Sequence, residues 1–318
     1  MTSFAPALTC EHPLDVVEAA LRLSEQGEAI ALVFLTGTQG GAVRAAGAIM
    51  AVSSAGQTAG YLSGGCIDAD VALNATEALQ DGQLRRLRYG EGSPFVDIRL
   101  PCGGGLDILI VPNVPRTALE TLAGVLMRRD MLHLGVSESG ELVTGRTGRP
   151  DLQFRTVYRP NLALRIAGRG ADCLALARLS AASGFDVTLQ LIDDADIAAA
   201  RPTGIATIQQ LTSPAALPAN RDDAATAFVL MFHDLDWETR LVRQALGGPA
   251  FYIGAVGSRN AHARRCEALR QAGVTQRDID RVSGPVGLVP SMRDASMLAV
   301  STLAEIIGAY HQEALADA

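Results

Sequence analysis

The sequence LALRIAGRGADC at residues 162–173 decides the fold of the second half of the chain. Its apolar run, Leu162 to Ala167, predicts a buried strand, and Gly168 and Gly170 stand where that strand must turn. Apolar spacing then predicts a helix from Ala171 to Ser183. A strand, a glycine turn and a helix in this order predict the first unit of a Rossmann-like, doubly wound sheet.

The same alternation continues towards the C-terminus. We expect Pro202 to Ala219, which is rich in Pro, Thr and Ala, to be a surface excursion from this domain. Strands that alternate with helices imply a parallel sheet with right-handed crossovers. The remaining predicted strands are Val187–Ile192, Phe228–Phe232 and Phe251–Gly254, and the remaining predicted helices are Trp237–Leu246, Asn260–Ala272 and Asp294–Tyr310.

The first half has a mixed pattern, in which a helix over residues 13–26 precedes a buried strand from Ala29 to Leu35. We therefore predict an α/β protein with two domains, a mixed α+β domain at 1–155 and a Rossmann-like domain at 156–318. Glycines and prolines between residues 145 and 160 interrupt the periodicity at this boundary. The other elements predicted in the first half are a hairpin of Ala45–Val52 with Ala59–Leu62, a helix from Cys66 or Ile67 to Gln80, a strand Leu106–Val111, a helix Thr117–Arg129, and a hairpin of Met131–Val136 with Glu141–Thr144.

Composition excludes several classes of function. The chain has 27 basic and 34 acidic residues, a net charge of −7, which argues against nucleic acid as a partner. All the basic residues are Arg, and without Lys neither a Walker A loop nor Schiff-base chemistry is possible. No signal peptide or membrane span is expected, and five scattered cysteines fit a reducing cytoplasm.

The Gly168 loop matches a dinucleotide fingerprint only in part. Cys173 stands where the third glycine belongs, and Asp193, the nearest acid for a ribose, lies 25 residues after Gly168. Gly168 and Gly170 could equally serve only the tight turn that any strand-to-helix unit needs.

Two cysteines of the first half stand among glycines, in SGGC at residues 63–66 and PCGGG at residues 101–105. Glycine lets a ligand approach the backbone, so Cys66 and Cys102 are expected beside amide donors that suit anions. The pair could hold a soft metal, a sulfur-rich cofactor or a redox disulfide, or could be two small buried residues. Zinc is disfavoured because the spacing is not that of a zinc site.

A second candidate site is the sequence FYIGAVGSR at residues 251–259, a strand that runs into a glycine turn. Ser258 is the predicted N-cap of the next helix, and Gly257, Ser258 and Arg259 with that helix start predict an anion site. Arg264 and Arg265 could add to it or form a solvated helix face. The loop GPVGL at residues 284–288 and the pair His233 and Asp234 lie near sheet ends in the same domain.

These motifs together resemble the XdhC/CoxI family, the accessory proteins of xanthine dehydrogenase and related molybdenum hydroxylases. The resemblance runs from about residue 30 to residue 307. It implies a dimer that binds and protects molybdenum cofactor, supports its sulfuration with a cysteine desulfurase, and delivers it to the apo-enzyme. The resemblance and the motifs together imply that Cys66 and Cys102 face the molybdenum of the bound cofactor. The full set of implied cofactor contacts is Cys66, Cys102, Gly64, Gly65, Gly103, Gly104, Gly168, Gly170, Gly257, Ser258 and Arg259.

The chain departs from the family at the dinucleotide loop. Arg169 and Ala171 replace the Ala and His of the family's usual Gly-Ala-Gly-His, and Leu191 stands at the position of the family's acid. We therefore predict weak or no dinucleotide binding. The alternatives are an NAD(P)- or flavin-dependent oxidoreductase with a redox cysteine, and a metal-binding interaction module.

Overall fold

The computed structural model describes residues 11–91 and 104–316. The chain divides into two compact units, and the border lies between Pro160 and Asn161. The first unit contains two sheets and the second contains one, and each unit has two hydrophobic cores.

The first unit is built on a five-stranded antiparallel sheet with the strand order β3-β2-β1-β5-β4. The central strand β1 is buried over most of its length because its residues 30–35 are all apolar. The strands are β1 (Ile30–Gln39), β2 (Ile49–Ser53), β3 (Thr58–Gly60), β4 (Arg85–Gly90) and β5 (Gly105–Val111).

Helices cover the two faces of this sheet. One core joins the sheet to α1 (Pro13–Glu25) and α3 (Arg116–Met127), and a second core joins its other face to α2 (Asp68–Asp81). A small antiparallel sheet in the order β7-β6-β8 completes the first unit. Its strands are β6 (Leu132–Ser137), β7 (Leu142–Thr144) and β8 (Leu152–Tyr158).

The second unit is a six-stranded parallel sheet in the order β11-β10-β9-β12-β13-β14. The chain runs outward from β9 in one direction and from β12 in the other, so the topological switch point lies between these two strands. The strands are β9 (Ala163–Gly168), β10 (Asp186–Leu191), β11 (Thr207–Gln210), β12 (Thr226–Met231), β13 (Tyr252–Ala255) and β14 (Val282–Ser283).

Helices pack on both faces of the parallel sheet, as in a doubly wound fold. One core contains α4 and α9, and the other contains α6 and α7. The predicted fold class, a mixed α+β unit followed by a Rossmann-like unit, is confirmed. The helices are α4 (Gly170–Ala182), α5 (Asp194–Ala200), α6 (Leu235–Leu246), α7 (Arg259–Gln271), α8 (Gln276–Ile279) and α9 (Ala295–Ala316).

Arg165 is a charged residue within the otherwise apolar strand β9. Its guanidinium donates two hydrogen bonds of 2.7 Å to Asp222 and lies 4.1 Å from the centre of the Phe228 ring. A buried charge needs such a partner because desolvation is costly. These contacts explain how the buried strand β9 can contain the basic residue Arg165.

One expectation for this unit was wrong. The segment Pro202 to Ala219 is not entirely a surface excursion, because it contains β11, the edge strand that pairs in parallel with β10. Only Ile208 is a large apolar residue in this strand, so no hydrophobic pattern marks it in the sequence. The hydrogen bonds to β10 therefore stabilise this segment as a strand, although its own sequence does not predict one.

Candidate functional site

A cavity of about 870 Å³ opens at the carboxyl edge of the parallel sheet. Residues that follow β9, β12, β13 and β14 line it, which is where ligands bind in doubly wound folds. The polar lining residues are Asp172, His233, Ser258, Arg259, Arg264 and Arg293, and the apolar ones include Val286, Val289, Met292 and Leu298.

The start of α7 forms the basic side of the cavity. Ser258 is the N-cap, and its Oγ accepts a hydrogen bond of 3.1 Å from the Ala261 amide. The first turn contains no acidic residue, while Arg259 and Arg264 are exposed to the cavity and make no ion pair within the described part of the chain. Amides at a helix start and nearby guanidiniums both attract anions.

Gly257 shapes the turn that leads into α7. Its φ of +140° favours glycine, and an added Cβ would lie 3.1 Å from that of Ala261. The buried Arg265 stabilises this turn. Its guanidinium donates one hydrogen bond of 2.9 Å to the Val256 carbonyl and one of 2.8 Å to the Glu238 carboxylate. Arg265 is buried, so the two neighbouring arginines have different roles: Arg264 faces the cavity and Arg265 supports its floor.

The loop from Gly284 to Arg293 forms the opposite wall. Glu305 of α9 accepts hydrogen bonds from the Tyr252 hydroxyl at 2.7 Å, the Ser283 hydroxyl at 2.7 Å and the Gly287 amide. The Val289 amide donates to the Ser301 hydroxyl at 2.8 Å. Two residues of α9 therefore fix this wall of the cavity.

The Gly168 loop has a different environment. Gly168 ends β9 and Gly170 begins α4, as the sequence predicts, but the Gly170 amide donates to the Asp196 carboxylate at 2.7 Å. Burial, together with the charges of Asp196 and Asp172, raises the pKa of the Cys173 thiol to about 12. Cys173 is therefore a neutral core residue at ordinary pH.

In the first unit, Cys66 is exposed in the loop before α2, and its thiol donates a long hydrogen bond of 3.6 Å to the Ser63 carbonyl. The carboxylate of Asp68 accepts hydrogen bonds from the amides of Leu62, Ser63 and Gly65 at 2.7–3.1 Å. The anion that these three amides contact is thus part of the chain itself.

Both glycine segments of the first unit approach the loop that follows β1. A side chain on Gly104 would place its Cβ 2.5 Å from the Gly41 carbonyl oxygen, and one on Gly64 would lie 3.5 Å from Val43. Gly64 and Gly104 therefore lie at the same end of the five-stranded sheet. Cys102 and Gly103 lie outside the described residues.

Asp68, Asp196 and Glu305 were not predicted as residues that shape a site. Asp68 could have been found, because an acid at the first position of a helix commonly contacts nearby free amides. Asp196 and Glu305 act on segments 26 and 18 residues away, so local sequence carries no signal for them. Across residues 11–91 and 104–316, no three His, Cys, Asp or Glu side chains are grouped so that they could hold a metal ion.

The fold and the cavity define a two-unit protein whose second unit is a Rossmann-type ligand-binding domain. Residues 164–306 match the XdhC Rossmann domain, and residues 23–90 match the XdhC and CoxI family. The chain therefore belongs to the XdhC and CoxI family, and the resemblance found in the sequence is confirmed.

Two relatives resemble the chain over almost its whole length. The molybdenum cofactor insertion chaperone PaoD of Escherichia coli (strain K12) is 32% identical over 312 residues, which cover 96% of this chain and 91% of PaoD. A probable xanthine dehydrogenase subunit of Bacillus subtilis (strain 168) is 26% identical over 330 residues, covering 90% of this chain and 94% of that protein.

The fold also has a counterpart among solved structures. The crystal structure of a xanthine dehydrogenase from Bacillus halodurans superimposes with a TM-score of 0.75, covering 94% of this chain and 96% of that one. The two sequences are 20% identical, so this likeness concerns the fold. Within the described ranges, none of the helices is long and apolar enough to cross a membrane.

Proposed function

We propose that the protein is an accessory factor that binds molybdenum cofactor as cargo and inserts it into xanthine dehydrogenase or a related molybdenum hydroxylase. The relative named as a molybdenum cofactor insertion chaperone, 32% identical over 96% of this chain, supports this role. In this role the protein carries a cofactor for another enzyme and is not itself an enzyme.

The observation that carries the proposal is the basic cavity at the start of α7. Molybdenum cofactor is a pyranopterin dithiolene that bears a phosphate. A carrier therefore needs hydrogen-bond donors that bind the phosphate and apolar contacts for the ring. Arg259, Arg264 and the amides after Gly257 supply the donors. Val289 and Met292 supply apolar surface on the opposite wall.

Molybdenum and sulfur atoms favour soft contacts, which thiolates provide. We assign this role to Cys66 and Cys102 of the first unit, with their neighbours Gly64, Gly65, Gly103 and Gly104. The same assignment includes protection of the cofactor and support for its sulfuration by a cysteine desulfurase. We further propose that the protein acts as a homodimer in the cytoplasm.

The anion end is tested with Arg264→Ala. Protein is incubated with released cofactor, gel-filtered, and assayed for molybdenum and oxidised pterin. Loss of one charged hydrogen-bonding partner costs about 1.5–3 kcal/mol, which weakens retention about tenfold or more. Arg240→Ala is the matched control, since Arg240 is exposed on α6 outside the cavity. Equal retention by both variants, or no retention by the parent above a mock protein, would refute the cavity as the cargo site.

The thiol end is tested in the same assay with three serine variants. We expect Cys102→Ser to lose most of the cofactor and Cys66→Ser to lose a comparable or smaller share, because a hydroxyl is a poor ligand for soft metals. Cys173→Ser is the control, since that thiol is buried. Parent-like retention by both Cys102→Ser and Cys66→Ser, with unchanged thermal melts, would show that thiols do not hold the cargo.

The alternative function, an NAD(P)- or flavin-dependent oxidoreductase with a redox cysteine, has less support. In that function Cys66 or Cys102 would be the redox cysteine and a dinucleotide would bind at the Gly168 loop, but the Gly170 amide of this loop already donates to the Asp196 carboxylate. Isothermal titration with NAD, NADP and FAD discriminates the two functions. Tight binding of any of them would favour the oxidoreductase.

A further inference from the structure

Two helices start at the carboxyl edge of the parallel sheet in positions where Rossmann domains bind phosphates, α4 after β9 and α7 after β13. They differ in what their first amides contact. The Gly170 amide of α4 donates to the Asp196 carboxylate at 2.7 Å. In contrast, α7 begins at a cavity whose lining includes two arginines of that helix.

The charges near the two starts differ, although α4 also has a basic N-cap residue, Arg169, whose guanidinium lies 5.9 Å from the centre of the Phe232 ring. Asp172 lies in the first turn of α4, and the Asp196 carboxylate of α5 contacts the Gly170 amide at the start of that turn. The first turn of α7 has no acid. Asp172 also lines the α7 cavity, so the charge that distinguishes the α4 start is that of Asp196, which disfavours a phosphate at the Gly170 amide.

We infer that Asp196 is a specificity-determining residue: its carboxylate acts as an internal anion that closes the α4 start to nucleotide diphosphates. A diphosphate oxygen at this turn would need the Gly170 amide that Asp196 already occupies, and would lie beside its negative charge. The ligand phosphate is thereby directed to α7. Only the statement about α7 rests on the proposed function, because the Gly170 and Asp196 contact stands by itself.

The experiment removes the internal anion and counts binding sites. Binding of inorganic pyrophosphate and of ADP is measured by isothermal titration at low ionic strength in an Arg264→Ala background, where the α7 site is weakened. We expect Asp196→Ala in this background to bind both probes at least tenfold more tightly than Arg264→Ala alone. In the otherwise unchanged chain, Asp196→Ala should raise the number of pyrophosphate sites from one to two.

Asp194→Ala is the matched control. Asp194 lies in the same helix α5, and its carboxylate contacts Gln210 rather than Gly170, so its removal changes the net charge without freeing the amide. We expect this variant to bind pyrophosphate like its background. Asp196→Asn keeps the size of the side chain and an oxygen for the Gly170 amide but loses the charge, and should give a gain of about threefold, smaller than that of Asp196→Ala.

Thermal melts show which variants are folded. If the folded Asp196 variants bind the two probes no better than Asp194→Ala, or if the parent chain already has a pyrophosphate site whose affinity Arg264→Ala leaves unchanged, the inference is wrong. Asp196→Asn decides the question if Asp196→Ala does not fold. A parent without any pyrophosphate site would count against the α7 cavity and the proposed function, while a gain in Asp196→Ala would still support the closed α4 start.

Discussion

Replacing Arg265 with methionine removes one half of the ion pair that joins α7 to α6 below the cavity. The side chains of Arg265 and Glu238 are 1% and 5% exposed, and the guanidinium also donates to the Val256 carbonyl. Methionine has a similar length and keeps the apolar packing of the side chain. The substitution therefore isolates the loss of the charge and of its hydrogen bonds.

The expected cost is large because Glu238 would remain buried without its partner. Breaking a buried ion pair by removing one member costs about 3–5 kcal/mol. In a Glu238→Gln background no carboxylate is left uncompensated, so the same Arg265→Met change costs only lost hydrogen bonds, about 1–3 kcal/mol. The two substitutions should be non-additive by about 2 kcal/mol.

The assay is unfolding in urea, monitored through the fluorescence of tryptophan. The chain has a single tryptophan, Trp237, which is buried on α6 and stacked on Phe232 with ring centres 6.0 Å apart, so its emission reports on the second unit. Arg240→Met, an exposed arginine of the same helix, should change the free energy of unfolding by less than about 0.5 kcal/mol. A cost below about 1 kcal/mol for Arg265→Met, or an additive cycle, would refute the reasoning.

Three further predictions concern the two units. Iodoacetamide at pH 8 should label Cys66 and leave Cys173 unlabelled in peptide mass spectra, because Cys66 is exposed and the pKa of Cys173 is raised to about 12; equal labelling would contradict this. Ser291→Gly should raise the free energy of unfolding by about 1 kcal/mol, since Ser291 has a φ of +62°. Glu305→Ala should lower it by about 2–3 kcal/mol and weaken cofactor retention by releasing the Gly287 wall, whereas unchanged retention would show that this wall does not contact cargo.

The sequence was sufficient to predict elements that bury continuous apolar runs. The strands β9, β12 and β13 and the helices that follow them were predicted to within a few residues, because hydrophobic runs and glycine turns mark them. β4 was missed, since its sequence RRLRYG has three arginines and only two apolar or aromatic residues in alternation, Leu87 and Tyr89, which is too short a pattern to predict a strand. Its arginines are stabilised by partners from other elements, such as Asp107 for Arg88 at 2.7 Å.

The candidate site divides in the same way. Gly257, Ser258 and Arg259 were predicted because a strand, a glycine and an N-cap follow one another in the chain, and the structure places all three at the cavity. The contact of Asp196 with Gly170 depends on how α5 packs beside α4, which no local pattern encodes. Sequence motifs therefore located both phosphate-type turns but did not reveal that one of them is filled by the chain's own carboxylate.

The anchoring of the cavity wall by α9 has a consequence for the order of events during synthesis. Glu305 and Ser301 come later in the chain than Tyr252, Gly287 and Val289, the residues whose polar groups they satisfy. A nascent chain that has not yet produced α9 has strands β9 to β13 but lacks the anchors of one cavity wall. We therefore expect this wall of the cavity to reach its final form only after α9 has been synthesised and has packed on the sheet.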